Sequence, residues 1–244
     1  MVRTNENIYS ARFSRRIVAL VDRITTRKRG EMLAMILDAI ADDNGPIETA
    51  LDIGSTKDSD MASSNFFARE LAKKYMVTLL SDQYIDPEKD LNFEIDRAII
   101  GDATRIGDDI GTFDLVIASA TVEHVGNLAN QARMVASCIR LANRYAVITT
   151  PNRWHPLEFH THIPLLHWLP KPLHRRLLRA IGFSFFADED NLNLLDRAAL
   201  ERMVADNPVR HLIEEWRIST VRLFGFVSNL VLIVKIRPPA PTRP

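Results

Sequence analysis

A chain of 244 residues with 46% hydrophobic content can bury one sizeable core, so we expect a single soluble globular domain with room for an insertion. Its 31 basic and 31 acidic residues cancel, which removes the global field of a nucleic-acid binder, and a lone cysteine, Cys138, leaves no internal disulfide. No apolar run approaches the roughly 20 residues needed to span a bilayer, and the amino terminus lacks a signal-like apolar stretch, which points to the cytoplasm.

The first 30 residues hold eight basic side chains, Arg3, Arg12, Arg15, Arg16, Arg23, Arg27, Lys28 and Arg29, against Glu6 and Asp22. A solvated helix face is the ordinary explanation; a contact with anionic lipid or a phosphorylated substrate is the sharper one. Residues 8–29 alternate basic and apolar positions in a helical manner, Gly30 interrupts, and Glu31–Ala41 resumes with strong helix formers, giving a helical region over 1–44. Asp42–Pro46 (DDNGP) is a turn by composition.

A first strand is predicted at Thr49–Ile53, then a polar loop Gly54–Asp60 and a helix over Ser63–Lys74. Short apolar runs at Tyr75–Leu80, Ala98–Gly101, Phe113–Ala118 and Tyr145–Thr149 suit buried parallel strands, and Leu128–Leu141 reads as a helix that buries Cys138. Strands and helices alternating at this spacing predict a doubly wound, mostly parallel Rossmann-like α/β sheet. Residues 151–185 then collect five of the chain's 12 prolines and five of its seven histidines. That composition predicts an insertion, 151–195, lying as a cap over the carboxyl edge of the sheet, with a helix near Leu173–Ile181. Asp196 is placed as the N-cap of the helix RAALERMVA. Strands at His211–Ile218 and Leu230–Ile236 form an antiparallel edge pair joined through Phe224-Gly225-Phe226, and the proline-rich tail 238–244 is expected to be disordered.

Asp52 falls within the first strand, and Asp82 and Asp102 fall at the carboxyl ends of the second and third, facing one crevice. A carboxylate after strand two can accept both ribose hydroxyls, and one after strand three can accept an adenine amino hydrogen. Any one of them could instead cap a helix or sit solvated in a turn. The loop after strand one, Gly54-Ser55-Thr56-Lys57-Asp58-Ser59-Asp60, has one glycine and two acids. Dinucleotide and P-loop sites need several glycines and backbone N–H groups around phosphate. Carboxylates beside a pyrophosphate repel it, whereas S-adenosylmethionine has no phosphate and carries a sulfonium.

The segments LDIGS (51–55), SDQ (81–83), IIGDATRIG (99–107), FDLVIASATVEHVGN (113–127) and AVITTPNRWHPLEFHTHIPLLHWLP (146–170) together resemble a class I S-adenosylmethionine-dependent methyltransferase of the small type 11 subgroup. The resemblance covers about residues 45–185. It implies that Asp52, Gly54 and Ser55 line the methionine part of the cofactor and that Asp82, with Gln83 beside it, binds the ribose. Asp102 and Ala103 would hold the adenine, and Ser119 would line the methyl-donor side. Family members carry two or three glycines in the first loop, where Thr56 and Asp58 stand here.

Methyl transfer from a sulfonium is an in-line displacement, so the protein mainly aligns nucleophile, methyl and sulfur. A hydroxyl acceptor also needs a base, for which His124, His155 and His160 are the candidates, with Glu158 as partner or alternative. His155, Glu158, His160 and His162 also invite a metal assignment, but their spacing is not HExxH and a proline-rich loop does not fix their geometry, so a metal-free site is preferred. Ile163–Ile181 combines apolar residues with Lys171, Arg175, Arg176 and Arg179, which suits a cap over the pocket and also a peripheral contact with a membrane surface. The acceptor expected is a small molecule or a sugar- or lipid-linked intermediate, methylated at oxygen, with no nucleic-acid partner. A non-catalytic binding protein that keeps the fold and a NAD-dependent oxidoreductase remain the competing functions.

Overall fold

The computed structural model describes residues 15–41, 45–57 and 61–238. The expectations for residues 1–14, 42–44, 58–60 and 239–244, including Arg3, Glu6, Arg12, Asp58, Asp60 and the tail, lie outside the described residues. A long helix α1 (Arg15–Ala41) leads into β1 (Thr49–Ile53), α2 (Phe66–Ala72), β2 (Met76–Ser81), β3 (Arg97–Ile100) and β4 (Phe113–Ser119). There follow α3 (Leu128–Leu141), β5 (Ala142–Pro151), α4 (Lys171–Ala180), α5 (Arg197–Ala205), β6 (Ile213–Leu223) and β7 (Phe226–Ile236).

The seven strands form one sheet in the order β3-β2-β1-β4-β5-β7-β6. β1 to β5 pair in parallel, and β7 runs antiparallel to both of its neighbours. The expected antiparallel pair is present, but the last strand enters between β5 and β6, so β6 is the edge. The two are joined at Phe224 and Gly225, whose φ values of 51° and 84° give the two-residue turn that matches strand twist.

Side-chain alternation sorts the core onto two faces. Leu51, Ile53, Val116, Ala118, Ala146 and Ile148 pack with Met134, Val135 and Cys138 of α3 and with Leu200, Met203 and Val204 of α5. Ala50, Leu115, Ile117 and Val147 pack on the other side with Met32, Ile36 and Ile40 of α1 and Phe66, Phe67 and Leu71 of α2. Helices on both faces explain why the strands read as unbroken apolar runs. Cys138 is fully buried, and burial pushes its thiol up to about 12, so it is inert packing.

Two local signals are met closely. Helix α3 has the predicted bounds, and Asp196 caps α5 by accepting from the Ala199 amide at 2.8 Å. The break expected at Gly30 is corrected: α1 runs through it without interruption. A mid-helix glycine costs about 1 kcal/mol relative to alanine, which the apolar contacts of Met32, Ile36 and Ile40 outweigh. No helix among the described residues is long and apolar enough to cross a membrane.

Candidate active site

The chain leaves β1 on one side for β2 and β3 and crosses to the other side for β4, so a crevice opens between the carboxyl ends of β1 and β4. A cavity of about 1170 Å³ lies there. Asp52, Gly54 and Ser55 line it from β1, Asp82 and Gln83 from β2, Asp102 and Ala103 from the end of β3, and Ser119 and His124 from the end of β4. The structure therefore brings together all eight expected cofactor residues and one of the four expected catalytic ones. The motif aspartate Asp114 is at the opposite end, accepting from the amides of Glu48 and Thr49 at 2.9 and 3.0 Å, where it splices β4 to β1.

The first loop keeps its shape without the usual glycines. Gly54 adopts φ 93°, and a Cβ there would collide with the Thr121 side chain, whose Oγ1 donates to the Ile53 carbonyl at 3.1 Å. Asn65, itself left-handed at φ 43°, accepts from the Thr56 amide at 3.1 Å and donates to the Thr56 carbonyl at 2.7 Å. Lys57 pairs with Asp90 at 2.8 Å, so the loop's cation is already engaged. These side chains do the work that backbone permissiveness does in a glycine-rich loop.

Alternation puts Asp52 on the α1 face, where it is 7% exposed and accepts from Ser55 Oγ at 2.8 Å. Burial raises its carboxyl to about 6, against the opposing pull of that hydrogen bond and of the Arg29 charge. Arg29 reaches the cavity from α1 and donates to the Ser63 carbonyl; its own pKa is lowered by burial, which Asp52 and Glu123 partly offset. Asp102 shows the reverse balance: burial works to raise its carboxyl, but hydrogen bonds from Thr104 Oγ1 and the Thr104 amide, 2.7 and 2.8 Å, hold it below its ordinary value.

At the wall near β4 a buried polar chain runs out of the cavity. His124 Nδ1 is 2.7 Å from the Asn191 carbonyl, and its Nε2 is 3.2 Å from Nε2 of His160. His160 Nδ1 in turn is 2.7 Å from Glu158 Oε1. Glu158 also accepts from the amides of His160 and Thr161, and although burial works against it, the His160 charge and these bonds bring its carboxyl down to about 2. The same carboxylate raises His160 despite its burial, while burial and then His160 lower His124. His160 and Glu158 thus stand one residue behind the cavity lining, reached through His124.

His155 is a correction. It is absent from the cavity lining, is 2% exposed, stacks on Phe159 at 4.7 Å, and its ring nitrogens face the carbonyls of Leu157 and Leu223 at 2.9 and 3.4 Å. Its ring is engaged with the backbone of the segment that follows β5 and of the β6–β7 turn. The histidine set weighed for a metal, His155, Glu158, His160 and His162, is likewise not the one that converges. Glu123, His124 and His160 do, with ligand atoms all within 4.8 Å of one another. From the insertion, Phe185, Asp190 and Asn191 reach the cavity. Arg29, Asn65, Glu123 and Asn191 were not foreseen; Arg29, Glu123 and Asn191 gain their positions by contacts distant in sequence, and Asn65 by folding back on Thr56.

No protein-family model matches the chain, and no curated protein does. Solved structures do match. The plantazolicin methyltransferase BpumL in complex with SAH superposes at TM-score 0.59 with 11% identity over 96% of this chain and 94% of that one. Magnesium protoporphyrin IX methyltransferase from Synechocystis PCC 6803 with bound SAH does so at 0.53 with 14% identity over 88% and 85%. A Rhodobacter sphaeroides structure described as a putative Zn-dependent alcohol dehydrogenase matches at 0.53 with 13% identity over 82% and 88%. The strand order, the crevice and these likenesses together give the chain the fold of the class I S-adenosylmethionine-dependent methyltransferases.

Proposed function

We propose that the protein transfers the methyl group of S-adenosylmethionine to an oxygen of a small-molecule, sugar- or lipid-linked acceptor. The observation that carries this is the convergence of Asp52, Asp82 and Asp102, one from each of three successive strand ends, on a single cavity. Asp82 with Gln83 takes the ribose hydroxyls, Asp102 and Ala103 take the adenine edge, and Asp52, Gly54 and Ser55 surround the methionine part. Ser119 lies toward the methyl group, beside Thr121 and His124. The acceptor enters against the wall made by Phe185, Asp190 and Asn191, and His124, backed by His160 and Glu158, handles its hydroxyl.

The residues fit an adenosyl sulfonium better than a phosphate ligand. The one loop that would cradle a pyrophosphate has a single glycine, and its lysine is already paired with Asp90. That argues against a nicotinamide dinucleotide, although the fold alone would admit one. The segment after β5 also exposes Trp154, Leu165, Trp168 and Leu173, with the two indole rings 6.5 Å apart, on a surface outside the cavity lining. Calorimetry with S-adenosylmethionine and with its demethylated product tests the cofactor directly. Heat with both is expected; thermal stabilisation by NADH with no response to either adenosyl compound would reject methyl transfer.

A further inference from the structure

His124 and His160 approach each other through the atoms least suited to meet. His124 follows β4, His160 belongs to the insertion, and their Nε2 atoms are 3.2 Å apart with ring centroids at 4.9 Å. What each Nε2 carries follows from the opposite nitrogen. The Asn191 carbonyl beside His124 Nδ1 can only accept, so that nitrogen holds the hydrogen and Nε2 the lone pair. Glu158 already accepts two backbone amides, and beside His160 Nδ1 it imposes the same tautomer. Two neutral rings so fixed present lone pair to lone pair, an arrangement that a cation between them relieves.

Glu123 supplies the second observation. Its side chain is fully buried, Oε2 accepts from Thr150 Oγ1 at 3.0 Å, and Oε1 has no hydrogen-bond partner among the described residues. A carboxylate oxygen of Glu123 lies within 4.8 Å of a ring nitrogen of each histidine. A proton shared by the two rings would satisfy them and leave Oε1 unpartnered. A metal ion satisfies all three groups.

We propose that Glu123, His124 and His160 form a binding site for a divalent cation of borderline softness, zinc fitting best, with a further coordination position open to the cavity. Two nitrogens each about 2.1 Å from a tetrahedral zinc stand roughly 3.4 Å apart, close to the separation present here. Both imidazoles donate their other N–H, one to a carboxylate and one to a backbone carbonyl, which is the outer-shell support that metal-bound histidines have. Three protein ligands leave a position for an exchangeable ligand, and His124 lines the cavity.

The role of that position rests on the methyl-transfer function proposed above, whereas the metal site itself does not. An acceptor hydroxyl that takes the open position loses its proton to water in the cavity, because the cation stabilises the alkoxide. The oxygen then forms its bond to the methyl carbon as the carbon–sulfur bond breaks, and that bond's electron pair returns to sulfur. The products are a methyl ether, the demethylated cofactor and one proton. The two histidines are then ligands, and no separate base is required.

The full-length protein, stripped with a chelator and dialysed against Zn(II) or Co(II), is assayed for metal by plasma mass spectrometry, and for Co(II) by its visible absorption. About one equivalent per chain is expected, falling at least tenfold in Glu123→Gln and in His160→Ala, while the exposed-histidine control His211→Ala keeps it. Calorimetry with S-adenosylmethionine is run on the stripped protein in parallel, so that loss of the methyl-transfer function and loss of the metal site are read separately. Folded wild-type protein that takes up no metal, or that takes up as much in Glu123→Gln as without the substitution, overturns the proposal.

Discussion

Gln131 and Asn193 exchange amide hydrogen bonds across 62 positions of sequence: Gln131 Nε2 donates to the Asn193 carbonyl at 2.7 Å, and Asn193 Nδ2 donates to Gln131 Oε1 at 3.3 Å. Both side chains are almost fully buried. Gln131 Nε2 also reaches the Val122 carbonyl, Asn193 Nδ2 reaches that of Gly126, and the Asn193 amide donates to the Glu123 carbonyl. The segment around Asn193 is thereby bolted to the turn that carries Glu123 and His124, so that segment and the site wall are one unit.

Gln131→Ala strands two carbonyls and one hydrogen of the Asn193 amide in a dry setting. A loss of about 2–4 kcal/mol is expected, since each buried polar group left unpaired costs roughly 1–3 kcal/mol. Urea unfolding measures it; a loss below about 0.5 kcal/mol, the range of a surface substitution, would show that the latch holds nothing.

Gly54→Ala combines a positive φ with a collision against Thr121. We expect at least ~2 kcal/mol of destabilisation. Adding Thr121→Ala should recover part of it by giving room, while the backbone strain stays. Stabilities of the two single variants and the double variant, read as a cycle, check this, and strictly additive effects would show that the two residues do not press on one another.

The Asp52 carboxyl, at about 6 when folded against an ordinary 3.8, makes a signed pH prediction. The folded state holds the proton more tightly than the unfolded one, so stability conferred at low pH is lost as pH rises from about 4 through 6, by about 3 kcal/mol at most. Asp52→Asn should flatten that part of the profile. Cofactor affinity should move the other way, because the methionine ammonium and sulfonium favour ionised Asp52. Binding should weaken up to about tenfold per pH unit below 6. Calorimetry at pH 5 and pH 7 reads it, and equal affinities would remove Asp52 from the contact.

Asp82 is exposed at the mouth of β2, where its removal threatens the fold least. Asp82→Ala should weaken S-adenosylmethionine binding by about tenfold or more, the worth of a charge-assisted hydrogen bond, with Tm unchanged. Unaltered affinity would mean that the ribose lies elsewhere.

Several parts of the site were readable residue by residue. Gly54, Asp82 and Asp102 each end an apolar run, and an apolar run of that length bounded by a turn is a strand whichever neighbours it acquires. Asp196 announced its helix because a cap acts within three residues. The histidines gave no such signal. His155 and His160 share one Pro/His-rich stretch, yet the fold turns the first to backbone carbonyls and brings the second to His124 across 36 positions.

The sequence by itself determined the strands, their winding and the acids at their ends, because periodicity, capping and turn chemistry act over a few residues. Tertiary structure alone decided that α1 passes unbroken through Gly30 to bring Arg29 to the cavity, that β7 slots between β5 and β6, and that Glu123 meets His124 and His160. Those outcomes depend on which surfaces pack and which buried groups find partners at long range, and no local pattern encodes either.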